Sequence, residues 1–345
     1  MPDGFIETYL LFLAKAVTVV VAIGALVTLI VNAARQVGAL RGHERLDVTN
    51  LNDRFHDLGD TVRDAVSSQA ERKKLHKQRR AEDKARRKGR SDEAERRRIY
   101  VINFDGDLHA NAVDNLREEV SAVLQVAVPG DEVLLRLESE GGVVHGYGLA
   151  ASQLARIRAR DITLTVAVDM VAASGGYMMA CVANKIIAAP FAIVGSIGVV
   201  GQLPNFSRLL KRFDVDYELH TAGQFKRTLT LFGENTEAAR QKFREELEET
   251  HALFRDFVIE HRPQLDLDRV ATGEHWFGRQ ALELKLVDAL QTSDDYLLQH
   301  CETADLIKLE FHQHKSLSDR LSRGFARLGL GLRRGLQDTA GRRWN

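Results

Sequence analysis

An alternation of strand and helix patterns between residues 99 and 168 constrains the fold more than any other feature of this sequence. Three short apolar runs have the length of buried strands: IYVINF (99–104), EVLLRLE (132–138) and ITLTVAV (162–168). Segments 111–127 and 143–158, which lie between these runs, are predicted helices. Strands and helices that alternate at such lengths form a mainly parallel sheet with right-handed crossovers. The sequence therefore predicts an α/β fold.

Two later segments extend this pattern. The apolar stretch IIAAPFAIVGSIGVV (186–200) resembles a membrane span in its hydropathy, but Pro190 and Gly195 interrupt it, which favours two short strands. Residues 236–261 predict one long amphipathic helix. His261 lies on its apolar stripe and is interpreted as a packed or capping residue, not as a ligand.

The N-terminal run Tyr9–Val31 contains 23 residues and a single charge, Lys15. Roughly 20 apolar residues in a helix cross the hydrocarbon core of a bilayer. Asp3 and Glu7 stand where a cleaved signal peptide would have a basic start, and the run is too long for one. We therefore expect a retained membrane anchor; the alternative is a buried core helix.

Charges around this run predict its orientation. No Lys or Arg precedes Lys15. Four arginines follow the run: Arg35, Arg41, Arg45 and Arg54. The positive-inside rule therefore places the bulk of the chain in the cytoplasm.

A basic segment, residues 71–98, holds 14 Lys and Arg against 6 Asp and Glu. It is nearly free of apolar residues, so we interpret it as a solvated helical or disordered spacer. Contact with anionic lipid or with nucleic acid is the alternative, although no aromatic residue is present to stack on bases. Over the whole chain, 48 basic residues balance 48 acidic ones, which excludes a globally basic nucleic-acid binder. The two cysteines exclude a disulfide scaffold and a Cys-rich zinc site.

Ser174 is the candidate nucleophile. It lies in MVAASGGY (170–177), after a predicted strand and at the start of a helix predicted over 174–184. Gly175 and Gly176 would let the backbone approach a substrate with their N–H groups free, which combines a nucleophile with an oxyanion donor. The alternative is an ordinary helix N-cap, and the G-x-S-x-G elbow is absent because residue 172 is alanine.

Lys226 is the candidate base. It lies in TAGQFKRTLT (221–230), after a strand predicted over 217–221. A lysine acts as a base only when neutral, so this reading requires burial that disfavours the ammonium ion; the alternative is a solvent-exposed loop lysine. Three histidines of the same region are interpreted as surface or capping residues: His109, His145 and His220.

Four stretches, in this order, resemble the S49 family of serine proteases, the signal peptide peptidases. They are VAASGGYMMACVANKIIAAP (171–190), VGSIGVV (194–200), TAGQFKRTLTLFGENT (221–236) and ATGEHWFGRQALELKLVD (271–288). The resemblance covers residues 95–295 and implies a ClpP/crotonase-like fold. With the features above, it divides the chain into four parts: an N-terminal membrane anchor (1–34), a charged juxtamembrane spacer (35–98), a peptidase domain (99–300) and a basic amphipathic tail (301–345).

The resemblance also implies a Ser–Lys dyad. Ser174 would be the nucleophile and Lys226 the general base, and Ser196 of the GSIG motif would orient the lysine amine. No metal or cofactor is required.

The backbone N–H groups of Gly142 and Gly175 are the oxyanion donors that the resemblance implies. Glu140 stands where the family usually has a small residue or proline, which leaves open whether Gly141 or Gly142 donates. Lys285 stands where the family commonly has glycine.

The implied function is that of a membrane-anchored serine endopeptidase acting on extended apolar peptides, from membrane-derived or misfolded polypeptides. A ring-like homo-oligomer is expected, with no specific nucleic-acid partner. Two other classes remain open: a crotonase-fold acyl-binding protein and a catalytically inactive membrane scaffold. The expected location is the bacterial inner membrane, with the catalytic domain cytoplasmic by charge bias and periplasmic by family analogy.

The C-terminal tail contains a regular apolar stripe, formed by Leu317, Leu321, Phe325, Leu328, Leu332 and Leu336. Spacings of three and four predict a helix. Arginines that flank the stripe are typical of a helix in a membrane interface, whereas docking on the chain itself or on another subunit is the alternative.

Overall fold

The computed structural model describes residues 11–15, 17–18, 44–68, 96–223 and 225–313. The strands are β1 (Arg45–Asn50), β2 (Arg98–Gly106), β3 (Glu132–Ser139), β4 (Thr163–Val168), β5 (Val171–Ala173), β6 (Lys185–Ala188), β7 (Ile193–Gly195), β8 (His275–Phe277), β9 (Ala289–Leu290) and β10 (Asp305–His312). The helices of residues 51–300 are α1 (Leu51–Val66), α2 (Val113–Val126), α3 (Val144–Arg158), α4 (Gly175–Ala180), α5 (Ser207–Arg212), α6 (Glu237–His261), α7 (Leu267–Val270), α8 (Gly278–Glu283) and α9 (Ser293–His300). The predicted α/β class is confirmed.

One sheet contains these strands, and it branches at the end of β3. Its main path runs β1-β10-β2-β3-β4-β6-β9, and the pairs from β10 to β9 are parallel. The last residue of β3, Ser139, pairs with Ala172 of β5, which pairs in turn with β7. Because these strands are parallel, the carboxyl ends of β3, β5 and β7 lie next to one another, the edge at which α/β sheets hold their sites.

Apolar side chains cover both faces of the sheet. In β2, Ile99 and Val101 belong to the cluster that includes residues of α1 and α9. Tyr100 and Ile102 belong to the larger cluster, which includes residues of α2, α3 and α4. Successive strand residues point to opposite faces, so burial on both sides explains the unbroken apolar runs in the sequence.

The elements at both ends of this fold exceed the predicted limits of the peptidase domain. Helix α1 lies in the segment interpreted as a spacer, 35–98, yet the buried Asn52 side chain ties it to the C-terminal elements. Its Nδ2 donates to the carbonyl oxygens of Cys301 and Ala304, and its Oδ1 accepts from the N–H of Leu306 in β10. Strands β1 and β10 therefore join the sheet from outside residues 99–300.

Three local predictions can be compared with the structure. The stretch 186–200 contains two short strands, β6 and β7, as predicted. The helix expected over 174–184 is shorter, since α4 ends at Ala180. The strand expected over 217–221 is wrong: these residues form no strand and are exposed, because no neighbouring strand lies beside them.

The long helix predicted over 236–261 is α6. The hydroxyl of Thr236 caps it by accepting from the N–H of Ala239 at 3.2 Å. His261 packs against the ring of Phe257, and its Nδ1 lies 3.0 Å from the carbonyl oxygen of Phe257. The interpretation of His261 as a packed residue is confirmed.

Little of the predicted membrane-associated sequence belongs to the described residues. Residues 11–15 and 17–18 are helical, and no helix within the described ranges is both long and apolar enough to cross a bilayer. The rest of the 9–31 run, the basic segment up to residue 95 and the C-terminal stripe from Leu317 lie outside the described residues.

Candidate active site

Ser174 lies at the sharp turn between β5 and α4. Its backbone has φ 51° and ψ −116°, a conformation that residues other than glycine rarely adopt. Two backbone hydrogen bonds hold the turn: the N–H of Ser174 donates to the Gly195 carbonyl at 2.8 Å, and its carbonyl accepts from Met178 at 2.9 Å. A strained strand-to-helix turn of this kind presents a nucleophile at the edge of a sheet.

The hydroxyl group of Ser174 has no hydrogen-bond partner among the described residues. The side chain is half-buried. Ser174 does stand at the N-cap position of α4, but its side chain makes no capping hydrogen bond there. The capping alternative therefore accounts for its position and not for its side chain.

Glycines bring the end of β3 against this turn. A Cβ on Gly141 would lie 2.8 Å from the Cβ of Ser174 and from the nitrogen of Gly175. A Cβ on Gly176 would lie 2.6 Å from the carbonyl oxygen of Ser139, and one on Gly175 would overlap the ring of Tyr147. Only glycine at these positions permits the backbones of residues 139–142 and 174–176 to pack this closely.

The hydrogen bonds of residues 139–142 distinguish the two candidate oxyanion donors. The N–H of Gly141 donates to the side-chain oxygen of Ser139 at 3.0 Å. The N–H of Gly142 has no acceptor among the described residues, and neither has that of Gly175, the first residue of α4. Gly142 and Gly175 are therefore the pair whose donors remain available.

Ser196 lies immediately after β7, on the segment that holds the Ser174 turn. Its φ is 51°, and its N–H donates to the carbonyl of Glu274 at 2.7 Å. Because Ser174 is hydrogen-bonded to Gly195, the structure brings these two predicted site residues to the same sheet edge.

Lys226 differs from the expectation. It is exposed, on a long segment between β7 and α6, and no hydrogen bond or ion pair to its side chain occurs in the described part of the chain. The burial that a neutral lysine requires is thus absent in the single chain. The residues that precede it, 217–221, are exposed as well and form no strand.

Apolar residues of this segment are exposed as well. Phe213 is 69% exposed and Phe225 51% exposed, and they belong to a set that includes Val200, Leu203, Leu209, Val215, Tyr217 and Leu219. We call residues 200–232 the exposed arm. Isolated exposed apolar side chains are normal in proteins, whereas this segment has several within about thirty residues.

A cavity of about 360 Å³ opens beside the Ser174 turn, lined by Glu140, Met170, Val171, Ala173, Ile193, Ser196 and His275. Its walls are largely apolar, with three polar side chains among them. Sequence reasoning missed His275 as a cavity residue, although it lies in the fourth matching stretch, 271–288. The antiparallel pairing of β8 with β7, which sets His275 opposite Gly195, places it there.

The other histidines and the acidic residues of the described ranges form no second catalytic or metal-binding group. His109, His145 and His220 are exposed, in agreement with their interpretation as surface residues. Within the described ranges, no three His, Cys, Asp or Glu side chains are grouped to hold a metal ion.

Comparisons with known proteins identify the family of this chain. Residues 4–154 match the family described as Peptidase family S49 N-terminal, and residues 156–306 match Peptidase family S49. A protein of Haemophilus influenzae described as "Probable protease SohB" is 47% identical over 335 residues, which are 94% of each chain. A relative with the same description in Buchnera aphidicola subsp. Schlechtendalia chinensis is 49% identical over 303 residues, which are 85% of this chain and 99% of its own.

A solved structure with some likeness is that of the membrane-bound stomatin-specific protease 1510-N in complex with a substrate peptide. It is 12% identical, with a TM-score of 0.41, and the alignment covers 66% of this chain and 97% of that one. Since these values are low, the family follows from the sequence relatives and the two family matches. The chain belongs to peptidase family S49 and is a serine-type peptidase.

Proposed function

We propose that this peptidase is a membrane-anchored serine endopeptidase of the SohB type that uses Ser174 as nucleophile and Lys226 as general base. The observation that carries the proposal is the strained turn of Ser174, whose hydroxyl has no hydrogen-bond partner among the described residues. Beside it lie the N–H groups of Gly142 and Gly175, which have no acceptor in the same part of the chain. A nucleophile next to preorganised N–H donors is the arrangement that acyl transfer requires.

The proposed reaction proceeds in two halves. The amine of Lys226 takes the proton of Ser174 as Oγ attacks the peptide carbonyl carbon, and the oxyanion accepts from Gly142 and Gly175. The intermediate collapses, and the leaving amine receives the proton from Lys226, which leaves an acyl ester on Ser174. Water, deprotonated by the same lysine, then attacks the ester carbonyl carbon, the bond to Ser174 Oγ breaks, and Lys226 returns the proton to Oγ as the acid is released.

The cavity supports a substrate with apolar side chains. Its wall of Met170, Val171, Ala173 and Ile193 suits an apolar side chain next to the scissile bond. An extended peptide could then lie along the end of β3. Membrane-derived and misfolded polypeptides are substrates with such apolar segments.

A homo-oligomer is part of the proposal. The exposed arm carries both Lys226 and the group of exposed apolar residues described above. Packing of the arm against another copy would bury those residues and remove water from the lysine, which favours its neutral form. We further propose a ClpP/crotonase-like fold and an anchor at residues 9–31 in the inner membrane, with the catalytic domain on the cytoplasmic side by charge bias.

Substitution of the two dyad residues tests the reaction. With a quenched fluorescent apolar peptide, Ser174→Ala and Lys226→Ala should each abolish turnover. Ser152 is an exposed serine of α3 and Lys211 an exposed lysine of α5, so Ser152→Ala and Lys211→Ala are matched controls that should keep it. Substantial turnover by pure Ser174→Ala would refute the assignment.

A fluorophosphonate probe separates the peptidase from an acyl-binding protein or an inactive scaffold. It should label the wild type at Ser174 and should not label Ser174→Ala.

The side of the membrane is tested separately: protease should remove a C-terminal tag in inverted vesicles and spare it in spheroplasts. The opposite accessibility would place the domain in the periplasm.

A further inference from the structure

A chain of hydrogen bonds with a buried centre lies next to the proposed oxyanion site. The N–H of Gly141 donates to Oγ of Ser139 at 3.0 Å, and Ser139 Oγ lies 2.6 Å from the hydroxyl of Tyr147. The hydroxyl of Tyr147 donates to the carbonyl oxygen of Asp107 at 2.8 Å. Ser139 is 1% exposed and Tyr147 is fully buried, so the bond between these two hydroxyls is shielded from water, whereas the bonds to Gly141 and Asp107 are partly buried.

The direction of every proton in this chain is determined. Tyr147 has a single hydroxyl proton, and it is donated to the carbonyl of Asp107, which can only accept. Ser139 must therefore donate to Tyr147, and its oxygen accepts from Gly141. Each hydroxyl donates and accepts at once, which strengthens the bonds of the chain. Burial raises the pKa of Tyr147, so the phenol keeps the proton that it donates.

Both ends of the chain are attached to the backbone around the site. At one end, the N–H of Gly141 donates to Ser139, whereas that of Gly142 has no acceptor within the described ranges. At the other end, the segment after Asp107 is bonded to the same loop, since Leu108 accepts from the N–H of Val143 at 2.9 Å. Residues 141–143 are thus held from two sides.

The ring of Tyr147 has a second contact with the site. It lies against Gly175, where any side chain would overlap it. Gly106 provides the space for the hydroxyls, because a Cβ there would lie 2.6 Å from both Ser139 Oγ and Tyr147 Oη. Tyr147 therefore touches the backbone of one proposed donor and supports, through Ser139, the loop of the other.

We propose that Ser139 and Tyr147 are positioning residues of the peptidase, which set the oxyanion donors of Gly142 and Gly175 by the hydrogen-bonded chain from Gly141 to Asp107. The inference rests on the proposed function, because it assigns these glycines to the oxyanion. Neither side chain touches the substrate. Their effect is on the placement of donors that act in the transition state, where small displacements lower the rate strongly.

Tyr147→Phe is the decisive variant, because it keeps the ring against Gly175 and removes only the hydroxyl. We expect kcat per active site to fall about tenfold or more while KM stays within about twofold, since the donors act on the transition state. Active sites are counted by the amount of fluorophosphonate label on Ser174. The matched control is Tyr296→Phe, which removes another buried hydroxyl, bonded to Glu132 at 2.7 Å at the opposite end of β3.

The outcomes separate the inference from the proposed function. A normal kcat in Tyr147→Phe, or an equal loss in Tyr296→Phe, overturns the positioning role while Ser174→Ala remains inactive. Turnover by Ser174→Ala overturns the proposed function itself. If Tyr147→Phe does not fold, Ser139→Ala decides by the same measurement: it breaks the chain at Gly141 and should lower kcat without raising KM.

Discussion

The N–H of Ser174 donates to the carbonyl oxygen of Gly195 over 2.8 Å. This bond joins the turn of the nucleophile to the segment that carries Ser196, although the two residues come from different strands. A rigid attachment of this kind explains how a serine is kept at φ 51° without a glycine's freedom.

The proposed dyad of Ser174 and Lys226 should behave as one unit in kinetics. Ser174→Ala and Lys226→Ala should each remove peptide hydrolysis, and the double variant should be little worse than either, because groups that act in one step are not additive. Ser196→Ala should lower kcat without abolishing it, since it loses an orienting group and not a reacting one. Steady-state kinetics of the four variants test this; a double variant that loses the product of both single effects would contradict it.

Gly141 should not tolerate alanine. Its φ is +91°, and a Cβ would lie 2.8 Å from Ser174 and Gly175, so Gly141→Ala should distort the turn and remove activity. Gly148 in α3 has open space around its Cα, and Gly148→Ala should stabilise the protein by about 0.5–1 kcal/mol with activity unchanged. Thermal unfolding and turnover of the pair provide the comparison. Full activity of Gly141→Ala would show that this packing is not needed.

Lys285→Gly should stabilise the protein. Lys285 has φ 62° and ends α8 in a Schellman motif, with Leu286 donating to Ala281 at 2.8 Å and Lys285 to Leu282 at 3.0 Å. Glycine removes the strain of the left-handed conformation, but it also raises the conformational entropy of the unfolded chain, which offsets part of this effect. We expect the free energy of unfolding to rise by about 0.5–1 kcal/mol. Lys285→Ala keeps the Cβ and should change little. Urea unfolding of both variants measures the difference, and an equal gain in both would point to charge and not to backbone conformation.

Glu119 should make stability depend on pH. Burial raises its pKa to about 7, the Glu310 carboxylate adds to this effect, and the N–H of Phe311 opposes it by donating at 2.7 Å. The folded pKa lies above the ordinary value of 4.5, so the stabilising contribution is complete below that pH and is lost as the pH rises through about 7. The loss approaches about 3 kcal/mol.

Glu119→Gln tests this dependence, because its amide oxygen can still accept from Phe311. The variant should lose less stability than the wild type between pH 5 and pH 8, measured by urea unfolding. The exposed neighbour gives the control, since Glu118→Gln should follow the wild type. Parallel curves for all three proteins would assign the pH dependence to other groups.

Several elements followed from the sequence because their patterns are local. Apolar runs of strand length and helical spacing predicted β2, β3, β4, α2, α3 and α6 within a few residues. The same locality placed Ser174 at a strand-to-helix turn, since a short strand, a serine and two glycines follow one another directly. The spacing of apolar residues, with a period of two in strands and of 3.6 in helices, is a property of a single segment. It can therefore be recognised from residues that are close together in the sequence.

Tertiary structure decided everything that depends on residues far apart in the chain. Asp107, Ser139 and Tyr147 form one hydrogen-bonded chain only because β2 and β3 end at the same edge, and this chain distinguishes Gly141 from Gly142. The addition of β1 and β10 to the sheet has no local signal either. The hydrogen bond from Leu306 in β10 to Asn52, just after β1, joins residues that are 254 positions apart in the sequence. The sequence by itself determined which segments form strands and helices and which serine stands at the turn. Only the tertiary structure determined which N–H donors beside it have no acceptor among the described residues, and that Lys226 is exposed, because hydrogen-bond partners and burial depend on which distant segments meet.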